Sequence, residues 1–86
     1  RQGVLFLLRH GTAQRVEVFG SWNQWRGGWD ARLQDTGIWR ANVPSIPSGR
    51  HVYKFLLDSR HWIDDPSNPR KVRDGHGGFN SVLVVS

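Results

Sequence analysis

The sequence predicts an all-β domain, a small immunoglobulin-like antiparallel β-sandwich. Three observations predict it. Short apolar, β-branched and aromatic runs recur along the chain, Gly, Pro, Asn and Asp clusters punctuate them, and no stretch sustains a helical period. Strands at this spacing close into two packed sheets.

The elements follow in order. Val4–Arg9 is an apolar strand ended by the turn at Gly11-Thr12. Arg15–Phe19 is the second, and it runs into Gly20-Ser21-Trp22-Asn23-Gln24-Trp25, a tight polar turn that lifts an indole to the surface. A loop at Gly27-Gly28 carries Trp29, and Asp35-Thr36-Gly37 opens a third strand, Gly37–Val43. Pro44-Ser45-Ile46-Pro47 reads as a stiff connector, and Pro47-Ser48-Gly49 turns the chain into the longest strand, Arg50–Asp58. Successive side chains alternate across a sheet, so Tyr53, Phe55 and Leu57 point one way and Val52, Lys54 and Leu56 the other. Lys54 is thereby offered to the solvent side. A hairpin-like bend at Asp58-Ser59-Arg60 leads to a short strand, His61–Ile63, which presents a second indole, Trp62. Pro66-Ser67-Asn68-Pro69 and Gly75-His76-Gly77-Gly78 are turns, and Ser81–Val85 is the last strand.

At 86 residues the chain is one domain, 1–86, with no room for a catalytic barrel beside a binding module. A domain of this length buries only about 60–65% of its unfolded surface, so five tryptophans are a large investment. Trp22 and Trp39 are expected in the core, Trp25 and Trp62 at the surface among polar turn residues, and Trp29 is left open between widening a platform and covering the sandwich edge. The chain begins at Arg1 rather than Met and carries no signal-like segment, which reads as a piece of a longer polypeptide.

Composition removes several classes. Without cysteine there is neither a disulfide nor a thiolate zinc site, and His10, His51, His61 and His76 have no metal-ligand spacing, so no metal or cofactor is expected. The longest apolar run, Val4–Leu8, is too short for a bilayer, so no membrane insertion is expected. The formal charge is +5, but the arginines fall one per segment and only Arg70-Lys71-Val72-Arg73 clusters. That spread describes a solvated surface better than a nucleic-acid footprint. Asp64 and Asp65 are adjacent, so on an extended strand they diverge instead of flanking a glycosidic bond; they read as turn carboxylates. Gly75-His76-Gly77-Gly78 lacks the Lys-Ser/Thr and helix of a phosphate loop. The chain is not expected to be an enzyme.

Two surface indoles on stiff β-structure suit a sugar polymer. Glucose has an apolar face of axial C–H groups and a rim of hydroxyls, so a flat plate beneath and hydrogen-bonding tips at the edge hold it. An indole covering roughly 40–60 Å² of sugar contributes on the order of 1–1.5 kcal/mol, which with two hydrogen bonds predicts micromolar to millimolar affinity.

The ordered set Val16–Trp25, Gly37-Ile38-Trp39, Pro47-Ser48-Gly49, Val52–Asp58, Trp62-Ile63-Asp64-Asp65-Pro66 and Asn80–Val84 resembles the carbohydrate-binding modules of family 48, which include the glycogen-binding domain of the AMP-activated protein kinase β subunit. Isoamylase-type amino-terminal domains are similar. The resemblance spans nearly the whole chain. It implies binding of α-1,4-linked glucan (glycogen, starch or malto-oligosaccharide), with Trp25 and Trp62 stacking, Lys54 contacting sugar and Asn80 as the amide ligand. His76 stands where some members place an apolar wedge, and is a candidate secondary contact; Trp22 replaces a common phenylalanine. The resemblance also implies a parent enzyme domain or kinase subunits as partners, in cytoplasm or plastid. The alternative is a docking module of the same fold without sugar affinity.

Overall fold

The computed structural model describes residues 2–86. Among the described residues nine strands form two antiparallel sheets: β1 (Gln2–Arg9), β2 (Val16–Gly20), β3 (Trp29–Asp30), β4 (Arg32–Leu33), β5 (Ile38–Ile46), β6 (Gly49–Leu57), β7 (His61–Ile63), β8 (Lys71–Arg73) and β9 (Phe79–Val85). The smaller sheet has the order β1-β5-β4; the larger runs β3-β2-β6-β9-β8, with β7 also paired to β6. Phe6, Leu8, Trp39, Ala41, Val43 and Ile46 from the first sheet meet Val16, Val18, Tyr53, Phe55, Leu57 and Val85 from the second in one core. The chain is thus the expected β-sandwich.

Tyr53, Phe55 and Leu57 do point inward, as alternation requires. Leu56, on the opposite side, is nevertheless only 9% exposed, because the short strand β7 pairs beside it and sets Trp62 opposite.

The departures from the sequence expectation have local causes. Pro44-Ser45-Ile46 is not a connector but the end of β5: the register steps from Val4↔Val43 to Gln2↔Ile46, so the proline sits at a bulge, where a missing N–H costs no ladder bond. Ile46, fully buried, anchors that end. The short strands β3 and β4 carry too few residues to show a period. The basic cluster at 70–73 is largely β8, an edge strand: Lys71 pairs with Asp64 at 3.3 Å, and Lys71 and Arg73 both lie over the Phe79 ring. Those cations are spent on local contacts.

Asp65 behaves as a turn carboxylate, whereas Asp64 pairs with Lys71. Asp65 is buried, accepts a 2.6 Å bond from the Tyr53 hydroxyl and bonds from the Ser67 N–H and hydroxyl, and its own N–H donates to Ser81 Oγ at 2.7 Å. Burial, and then this carboxylate, push the Tyr53 phenol well above its ordinary pKa. The knot ties the loop before β8 to β6 and β9, and so sets where the turn between β8 and β9 stands.

Candidate functional site

Register places the site on the outer face of the larger sheet. Paired residues share a face, so Phe19↔Lys54 and Leu56↔Trp62 put Phe19, Lys54, Leu56 and Trp62 together, and Val72↔Asn80 continues that face onto β9. Phe19 reaches across β6 to meet the Trp62 ring edge-on, with centroids 5.1 Å apart and planes at 68°. Trp62 is 48% exposed above this support.

Trp25 arrives by a different route. The chain leaves β2 through a single 3-10 turn, Ser21–Asn23, and then both Gln24 (φ 57°) and Trp25 (φ 63°) adopt the left-handed conformation. The turn is closed by the Trp25 N–H donating to Gly20 O at 3.0 Å and by the Asn23 amide donating to Arg26 O at 2.6 Å. A bulky residue at positive φ is strained, and such strain gathers where a side chain must be aimed. Here it aims the half-buried indole at the sheet face.

Phe19, Trp25, Lys54, Trp62, Asp74, His76, Gly77, Gly78 and Asn80 line one cavity of about 790 Å³. It therefore brings together all five residues singled out from the sequence: Trp25, Lys54, Trp62, Asn80 and His76. Neither indole is swallowed by the core, and the two are not on separate flanks. The Asn80 amide makes no side-chain hydrogen bond among the described residues. Instead of closing the glycine-rich turn, it stands half-buried in β9 with its amide available to a ligand.

The turn is closed by Asp74. Its Oδ1 accepts from the His76 N–H at 2.7 Å and the Gly78 N–H at 3.0 Å, while Oδ2 accepts from the Lys54 ammonium at 2.5 Å. Lys54 is thus a bonded lysine, its side chain 16% exposed, rather than a freely solvated one. The bond from Lys54 and then the backbone N–H of His76 hold the Asp74 carboxyl well below the ordinary carboxylate range.

Sequence reasoning missed Phe19 and Asp74. Phe19 was legible by alternation, lying outward beside inward Val16 and Val18; Asp74 begins an Asp-Gly turn, the usual signal for a side chain that caps its own backbone. Trp29, left open by the sequence, pairs with Val18 and so lies toward the core-side edge, away from the cavity. Trp39 is in the core, as expected, whereas Trp22 is only partly buried and packs against the core from its margin. Among the described residues no group of acids, histidines or cysteines could hold a metal.

Residues 4–86 match the family described as the glycogen recognition site of AMP-activated protein kinase. The chain is 32% identical over 75 residues to 5'-AMP-activated protein kinase subunit beta-1 of Sus scrofa, which covers 87% of this chain and 57% of that protein. The equivalent subunit of Rattus norvegicus is also 32% identical, with 26% of its length covered. A 1,4-alpha-glucan branching enzyme, GlgB, of Chlamydia caviae is 37% identical over 57 residues, covering 64% of this chain and 8% of the enzyme. The chain thus spans less than two thirds of each of these relatives.

Proposed function

The chain belongs to the family of the glycogen recognition site of AMP-activated protein kinase, a carbohydrate-binding module and not an enzyme, and from that premise we propose that it binds α-1,4-linked glucan through the outer face of its larger sheet. Trp25 and Trp62 stack on glucose rings, Lys54 and Asn80 hydrogen-bond the hydroxyl rim, and His76, which lines the same cavity, is a secondary contact. One observation carries the reading: two indoles, an ammonium and a side-chain amide free of internal bonds line the same open cavity. Such a constellation grips C–H faces and hydroxyls, and the one carboxylate that lines it, Asp74, is held by Lys54 and two backbone N–H groups, without the second carboxyl that glycoside hydrolysis normally uses.

Weak, repeated binding of this kind serves a polymer, because tethering and many equivalent epitopes raise the effective concentration. The module accordingly works as one domain of a longer protein, bringing a glucan-processing enzyme or a kinase complex to its polysaccharide. Isothermal titration with maltoheptaose and β-cyclodextrin tests the reading. The expected result is a micromolar to millimolar affinity that barely responds to salt. Absence of heat with both, together with capture of a partner protein through the same face, would replace it with a docking role. Binding that collapses as salt rises would point to a polyanion.

A further inference from the structure

We propose that Asp74 determines the specificity of this site: paired with Lys54, it forms a charge-neutral donor–acceptor couplet that reads adjacent hydroxyls of an unmodified glucosyl unit and disfavours anionic glucans. This rests on the glucan reading above and deepens it. The two groups meet at 2.5 Å, with side chains 16% and 8% exposed, and both line the cavity. An ammonium has three donors, of which Asp74 takes one; Oδ1 is occupied by two backbone N–H groups, while Oδ2 keeps accepting capacity beside Lys54. One hydroxyl of a diol can accept from the ammonium while its neighbour donates to the carboxylate.

Gly78 leaves the couplet open. A Cβ at that position would lie 3.0 Å from Asp74 Oδ2 and 3.7 Å from Lys54 Nζ, so a side chain there would lean on the pair. The charge balance is the second point. The chain carries +5, yet among the described residues the one lysine or arginine lining the cavity, Lys54, is cancelled by a carboxylate, and His76 is the other basic side chain in the lining. Among the described residues a phosphorylated or sulfated glucan would find no unpaired lysine or arginine in this cavity and would meet Asp74.

Titrations of wild type, Asp74→Asn and Lys54→Met with β-cyclodextrin and with sulfated β-cyclodextrin test the couplet. Asparagine keeps an acceptor for the turn but leaves the ammonium uncompensated; methionine leaves the turn closed and the carboxylate bare. Wild type should prefer the neutral ring at all salt concentrations between about 50 and 300 mM. Asp74→Asn should shift the neutral-to-anionic preference toward the anionic ring by about tenfold, and Lys54→Met should shift it the other way. An unchanged ratio in both variants, with the two ligands weakened alike, would reduce Asp74 to a turn-closing residue and overturn the proposal while leaving glucan binding intact. Failure of wild type to bind the neutral ring would overturn the glucan reading itself, and the couplet with it.

Discussion

Replacing Trp62 with alanine should weaken glucan binding about tenfold without unfolding the module. The ring is 48% exposed. Taking a tryptophan's full contact surface as roughly 250 Å², about 120 Å² faces solvent and about half of that, one ring face, is available to a sugar. At about 25 cal/mol per Å² the lost contact is on the order of 1.5 kcal/mol, which is about tenfold in Kd. The inner part of the ring rests on Phe19 and opposite Leu56, so folding should lose about 1–2 kcal/mol, within the margin of a small domain. Calorimetric titration with β-cyclodextrin, alongside a thermal melt, separates the two effects. Trp62→Phe should retain part of the affinity, since a smaller plate remains. A folded Trp62→Ala protein with unchanged Kd would refute the stacking role and with it the assignment of this face.

Trp25→Gly should lose a comparable share of affinity while costing little stability, because glycine relieves the positive φ of 63° and offsets the lost packing; denaturant unfolding beside titration checks the pairing of outcomes. Gly28→Ala should weaken binding indirectly. Its Cβ would fall 2.5 Å from the Phe19 ring, forcing that ring to shift under Trp62, and Trp62 fluorescence or NMR should register the movement. For pH the sign follows from Asp74, whose folded pKa lies below its ordinary value of about 3.8. The pairing's contribution is complete at every pH above that value, declines as the pH falls below it, and is lost once the pH has passed through the lower folded pKa. The melting-temperature gap between wild type and Asp74→Asn should therefore be flat from about pH 5 to 7 and shrink below about pH 3.8.

Most of the sheet was legible in the sequence because long strands announce themselves by alternation. The β6 alternation sets Tyr53, Phe55 and Leu57 on one face and Lys54 on the other, and the first face is the core. Strands of two or three residues carry no period: β7 shows in the sequence through the bend before it, whereas β3, β4 and β8 have no such flank and β8 shows only as a cluster of charge. Pro44 hid the end of β5, since a proline argues against a strand unless a bulge excuses it. At the site, the side chains that face the cavity were readable from turn context and resemblance. The pairings of their supports were not. Phe19 and Asp74 act through contacts between segments distant in sequence, Phe19 with Trp62 and Asp74 with Lys54, and only the folded register brings those pairs together.

The division of labour among the five tryptophans is set by that register. Trp39 pairs with Leu8 and shares its inward face; Trp29 pairs with Val18 and lies toward the core-side edge. Trp62, opposite Leu56, is carried outward, while Trp25 escapes the two-residue period altogether through its left-handed turn. A slip of β6 by one residue against β2 would turn Tyr53 and Phe55 outward and drive Lys54 into the core, abolishing fold and site together. Core packing and ligand geometry are therefore one constraint. Any substitution that loosens the inward face of β6 should also degrade binding on its outward face, in proportion to the register it loses, even where no ligand-facing atom has changed.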